Sequence, residues 1–114
     1  ELADVVAREH GNIHGSGNFG ASAVLRLLGR CDAWRKPQRF TEVLLACECD
    51  ARGRLGFSDQ PYPQGVRLQR ALSLGQAVDT ARVSAEALAR GLKGPAIGEA
   101  IDRAREAALA ALDD

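Results

Sequence analysis

The feature that most restricts what this chain can become is an apolar stripe: Phe40, Val43, Leu44, Cys47 and Ala51 fall at i, i+3, i+4, i+7 and i+11. A helix brings those positions onto one face, whereas a strand turns its side chains over at every second residue. The same period returns at Val24, Leu27, Leu28 and Cys31, and again at Leu68, Ala71, Leu72, Gly75 and Val78. Ile97, Ile101, Ala104, Ala108 and Leu112 outline a last amphipathic helix, and Leu2, Val5, Val6, Glu9 and Ile13 a less regular first one. No segment shows the alternating, β-branched pattern of a strand. The expected fold is therefore all-α, an array of about five or six short helices without a sheet.

Glycine, proline and capping residues divide these helices. The first must end by Gly15 to Gly17, and Pro37 suits the first position of the third, where a missing N–H costs nothing. Gly53 is placed to end that third helix, on which Glu48 and Arg52 form an i, i+4 pair. Gly56 to Gly65, GFSDQPYPQG, reads as the longest loop, either a partner-binding loop presenting Phe57 and Tyr62 or a connector with both rings tucked inward. Ser84 is the expected N-cap of a short fifth helix ending at Gly91, and KGP at Lys93 to Pro95 restarts the chain. GLKGPAIGEAI, Gly91 to Ile101, leads backbone N–H groups into a helix start, but it lacks the strand and glycine spacing of a P-loop, so helix punctuation is the better account.

With 114 residues, one domain is the default. The chain contains no Met and begins with Glu1, so residue 1 is expected to lie inside a longer polypeptide. No apolar segment approaches the ~20 residues of a membrane span, and no secretory leader is visible. Cys31, Cys47 and Cys49 are odd in number, and Cys47 and Cys49 are too close to pair comfortably. The expected setting is reducing and cytoplasmic, with Cys47 a buried small hydrophobe.

Net charge is zero, which argues against a nucleic-acid partner until its distribution is considered. Arg26, Arg30, Arg35, Lys36 and Arg39 face one acidic residue, Asp32, whereas from Asp79 onward seven acidic residues face five basic ones. CDAWRKPQRF, Cys31 to Phe40, places Trp34 among Arg35, Lys36 and Arg39. Cations neutralise phosphates and an aromatic stacks a base, so this block is a candidate RNA contact that Arg52 and Arg54 would extend. A solvated turn with Trp34 packed inward is the competing reading. His10 and His14, at i and i+4, share a helix face as metal ligands do, yet two imidazoles without further ligands are incomplete.

Taken together, REHGNIH, RCDAWRKPQRF, LLACECDARGRLGF, PYPQG and GLKGPAIGEAI resemble the C-terminal part of bacterial CCA-adding enzymes of the subgroup with an HD-type phosphohydrolase domain, the multifunctional CCA proteins. The resemblance covers nearly the whole chain. It implies a parent that adds C, C and A to the 3′ end of tRNA from CTP and ATP with Mg²⁺. It also implies an HD domain with phosphatase, 2′-nucleotidase and 2′,3′-cyclic phosphodiesterase activities that favours Ni²⁺ or a similar divalent metal. The paired aspartates and the His-Asp doublet of such proteins are absent from these residues and would lie upstream.

By resemblance, residues 1–36 are the end of an HD-type domain and 37–114 a helical tail. Asp32 matches the final HD aspartate and His10 an auxiliary histidine, a partial metal site in which His14 is a weaker candidate. The chain is expected to be inactive alone, to need no cofactor of its own, and to hold tRNA through Arg35, Lys36, Arg39, Arg52 and Arg54. The alternative is a structural or dimerisation module that packs on the HD domain without touching RNA. Removing the upstream helices is expected to leave the faces of Leu2 to Ile13 and Val24 to Cys31 open, favouring self-association.

Overall fold

The computed structural model describes residues 1–55 and 61–113, apart from the side chains of Arg54 and Leu55. Six α-helices and one 3-10 turn account for its regular structure, and no strand occurs among the described residues: α1 (Leu2–His14), the turn (Ser16–Asn18), α2 (Ala21–Arg30), α3 (Pro37–Leu55), α4 (Pro63–Gln76), α5 (Thr80–Ala89) and α6 (Pro95–Leu109). Burial follows the stripes that predicted the helices. Val5 and Ile13 of α1, Val24, Leu27 and Leu28 of α2, Phe40, Val43, Leu44 and Cys47 of α3, and Leu68, Ala71 and Leu72 of α4 meet in one apolar cluster. Leu109 and Leu112 close it from the far end of the chain. α1 packs on α3, α6 on α2 and α4, and α5 on α6.

The faces of the first two helices are thus covered by the chain itself. The open surface from which self-association was expected does not exist at Val5, Ile13, Val24, Leu27, Leu28 or Cys31, all of them buried. Among the described residues, the large apolar side chains that are mostly exposed are elsewhere, at Leu45, Val66 and Leu88.

Three helix boundaries differ from expectation. α5 starts at Thr80 because Asp79, rather than Ser84, caps it: its carboxylate accepts the Arg82 N–H at 3.0 Å, satisfying a donor that the helix leaves unpaired. α4 begins at Pro63, before the first buried leucine, since an apolar stripe marks the packed part of a helix and not its full length. α3 passes through Gly53 to Leu55; the glycines with left-handed backbone are instead Gly91 and Gly94, flanking the link into α6. Of the expected loop from Gly56 to Gly65, residues 56–60, Phe57 included, lie outside the described residues, while Tyr62 is buried rather than presented.

The end of α2 is the turn that matters for function. Asp32 N–H bonds to the Gly29 carbonyl and Ala33 N–H to the Leu28 carbonyl, each at 3.0 Å, the pairing of a Schellman cap. The residue at its left-handed position is Asp32, with φ 56°, a conformation that costs a residue with a Cβ roughly 1–2 kcal/mol and is usually left to glycine. The sequence thus keeps a carboxylate at a position where backbone sterics alone prefer none.

Arginines join the remaining helix ends. Arg67 donates to the carbonyls of Ser16 and Phe19 and pairs with Asp113 at 2.8 Å, and Arg70 donates to the carbonyls of Ala111 and Leu112. Carbonyls that a helix or turn leaves unpaired at its end need donors, and guanidinium forks from α4 supply them here. Cys31 and Cys47 are buried thiols; burial pushes Cys31 up to about 11, with the Glu9 charge adding to it, so it stays protonated and unreactive.

Candidate nucleic-acid interface

The Schellman cap turns the chain so that Arg35 and Lys36 stand in solvent between α2 and α3. Arg35 is 75% exposed, its Nε 3.3 Å from the Asp32 carboxylate, an exposed pair worth little to stability. Lys36 is exposed and its backbone N–H donates to the Asp32 carbonyl at 2.9 Å. Arg39 has a different role. Its side chain is only 18% exposed, donating from Nη2 to the Cys31 carbonyl at 2.9 Å and from Nη1 to Glu1 at 3.2 Å. It acts as a strut beneath the turn.

Arg52 stands apart from this block. α3 rises about 1.5 Å per residue, so Arg52 sits roughly 22 Å along the helix from Pro37. There it pairs with Glu48 at 2.6 Å, the expected i, i+4 contact. The side chain of Arg54 lies outside the described residues.

Trp34 is half-buried and already occupied. The guanidinium of Arg105 lies over its ring, 4.4 Å from the centroid, and the benzo edge presses on α4 so closely that a Cβ at Gly75 would come within 2.2 Å of it. Burial pushes the pKa of Arg105 down, and its buried Nε has no hydrogen-bond partner among the described residues. The aromatic face takes the place of that partner. Of the two readings of this tryptophan, the inward-packed one describes the structure: Arg105 covers a face of the ring and Gly75 lies against its benzo edge.

The histidines and Asp32 do not converge. His10 donates from Nδ1 to the Val6 carbonyl one helical turn back, at 3.0 Å, and Asp32 turns toward Arg35. His14 shares a 2.7 Å hydrogen bond between Nδ1 and the Tyr62 hydroxyl, and its Nε2 lies 3.5 Å from the Asp50 carboxylate. The His10 and His14 rings meet edge to face with centroids 5.9 Å apart, which is packing geometry. Among the described residues no three His, Cys, Asp or Glu side chains form a metal-binding group. Among the described residues, these side chains do not make a metal centre by themselves.

The sequence reading missed the Arg8–Glu9–Arg30 cluster. Glu9 occupies an apolar position of α1 and is 2% exposed. Its Oε1 accepts from Asn12 at 2.9 Å and from Arg30 Nε at 3.2 Å, and its Oε2 from Arg8 Nε and Arg30 Nε, both at 3.2 Å. Burial pushes the carboxyl up, but the hydrogen bonds from Asn12 and Arg30 and the nearby positive charge outweigh it, so its pKa falls below the usual carboxylate range. The signal was present: a glutamate inside an apolar stripe needs buried partners.

Helices joined into one core, with an exposed basic turn and no closed metal group among the described residues, make an all-helical module. The chain is similar almost throughout to the C-terminal region of the multifunctional CCA proteins. With the protein of that name from Leptothrix cholodnii it shares 61% identity over 110 residues, covering 96% of this chain and 26% of the relative. With that of Acidovorax sp. (strain JS42) it shares 64% over 110 residues, again 96% and 26%. With that of Paracidovorax citrulli the figures are 67% over 105 residues, 92% and 25%. The chain thus spans about a quarter of the length of these curated relatives. No family model and no solved structure matches it.

Proposed function

We propose that this chain is the tRNA-holding C-terminal region of a cytoplasmic protein that adds and repairs the 3′-terminal CCA of tRNA. The nucleotidyl transfer with Mg²⁺, and the HD-type hydrolysis with Ni²⁺ or a similar ion, belong in this reading to residues outside the chain. The observation that carries it is the similarity over 96% of the chain to proteins named for CCA. The exposed pair Arg35 and Lys36 supplies the phosphate contacts, with Arg39 beneath them as support. His10 and Asp32 contribute to a metal site only if further ligands come from the rest of the protein.

The test is a titration of the chain with tRNA lacking its CCA, at several salt concentrations. Arg35→Glu with Lys36→Glu should weaken binding and flatten the plot of log K against log salt by roughly one unit per lost phosphate contact. Unchanged affinity and slope would remove this turn from the account.

A second reading has its own observation. Between α3 and α4 runs a groove of about 480 Å³ lined by Leu44, Leu45, Val66 and Gln69, with Leu45 59% and Val66 74% exposed. In that reading the module packs on the rest of a larger protein and touches no RNA. Its binding would then be insensitive to salt.

A further inference from the structure

Two arginines beside the basic turn remain without a role. Arg8 and Arg30 come from different helices and converge on Glu9, a carboxylate buried in the core. Both are held by Nε, the inner side of the guanidinium, with Arg30 Nε reaching both carboxylate oxygens. Arg8 Nη2 donates to the carbonyl of Arg30 at 2.9 Å, which fixes Arg8 at the C-terminal end of α2, where the turn carrying Arg35 begins. The hydrogen bonds that hold the two guanidinium groups use Nε of each and Nη2 of Arg8, and leave out Arg8 Nη1 and both Nη atoms of Arg30. The side chains are 53% and 44% exposed, while the carboxylate between them is not.

This arrangement has a chemical consequence. Two cations around one anion leave a net positive charge, and the anion is on the core side. Each guanidinium is oriented by its inner edge and carries N–H donors on its outer edge, the geometry that recognises phosphate oxygens. One bidentate arginine is enough to neutralise a buried carboxylate; here two partly exposed arginines share it. We infer that Arg8 and Arg30, positioned by Glu9, form a phosphate-binding fork that continues the surface of Arg35 and Lys36 across the end of α2. Phosphate is the shared ligand chemistry. Its expected source, the tRNA backbone, rests on the function proposed above.

The experiment compares the chain with Arg8→Lys, Arg30→Lys and Glu9→Gln in binding to tRNA lacking its CCA. A parallel titration with inorganic phosphate follows the arginine Nε–Hε resonances. The lysine variants keep every charge and lose only the fork, so each should weaken tRNA binding about three- to tenfold while the helical circular dichroism is retained. Glu9→Gln adds a positive charge, which by charge alone would tighten binding; loss of positioning should weaken it instead. If Glu9→Gln does not fold, the two lysine variants decide the matter.

Wild-type affinity in Arg8→Lys and Arg30→Lys would overturn the fork and leave the Arg35–Lys36 reading intact. If the unmodified chain binds no tRNA, the reading of the adjoining turn falls, and the phosphate titration decides the fork separately. Saturable shifts at Arg8 and Arg30 then support a site for a phosphate from another source, and no shift overturns it.

Discussion

α2 and α5 are each ten residues long, and they contribute very differently. α2 buries Val24, Leu27 and Leu28 and leads into buried Cys31 and Ala33, covered from both sides by α4 and α6. α5 buries Ala87, turns Leu88 outward at 58% exposed, and packs chiefly on α6. A helix stabilises a fold by the cover it receives rather than by the apolar residues it carries. The first four helices, with the end of α6, therefore hold the structure together, and α5 is an attachment to it.

The strongest way to break this comparison is in the covered region. Leu27→Ala removes a fully buried side chain and should cost ~2–5 kcal/mol, a large part of the stability of a small domain. A loss below about 1 kcal/mol in urea unfolding would mean that α2 can collapse onto the cavity and is less tightly covered than it looks. Gly75→Ala should follow, at ~1–3 kcal/mol, because the new methyl would overlap the Trp34 ring and neither α4 backbone nor a ring held under Arg105 can move freely. A shift in Trp34 fluorescence should accompany it; an unchanged spectrum with unchanged stability would show that the ring swings away.

Acidification tests the same region through Glu9. Its folded-state pKa lies below its unfolded value, so its contribution is present above the ordinary carboxylate range and is lost as pH falls through the folded value. Stability of the chain should accordingly decline below about pH 4.5, and Glu9→Gln should decline less over that interval. Identical acid profiles for the two proteins would show that the hydrogen bonds of Asn12, Arg8 and Arg30 do not favour the charged form.

How far this difference between regions could be read from the residues depends on the signal. The stripes in α2 and α3 are clean because both helices are packed broadly against the core, and periodicity reports burial. Ile97, Ile101, Ala104 and Ala108 of α6 formed an equally regular stripe, yet they are only partly covered, while Ala100 and Leu109 are buried. Periodicity says that a helix has a preferred face and not how completely a neighbour closes it. Capping was legible at Pro37 and missed at Asp79, where a serine five residues later carried the same chemistry. For the basic turn, residue type placed Arg35, Lys36 and Arg39 together, but it could not separate the two that face water from the one that supports a carbonyl. That distinction comes from the turn made at Asp32, which brings the Cys31 carbonyl under the Arg39 guanidinium, a contact with no signature in residue type.

Leu88→Ala should have the smallest effect and is the most direct check on the contrast. The side chain is more than half exposed, so truncation leaves little new cavity, and alanine is the better helix former. Stability should change by no more than about 0.5 kcal/mol in either direction, against several for Leu27→Ala. In a longer protein the same substitution would have a second use. If a neighbouring domain covers α5 there, Leu88→Ala would become costly in the whole protein while remaining neutral in this chain, and the size of that difference would measure how much of α5's missing cover another domain supplies.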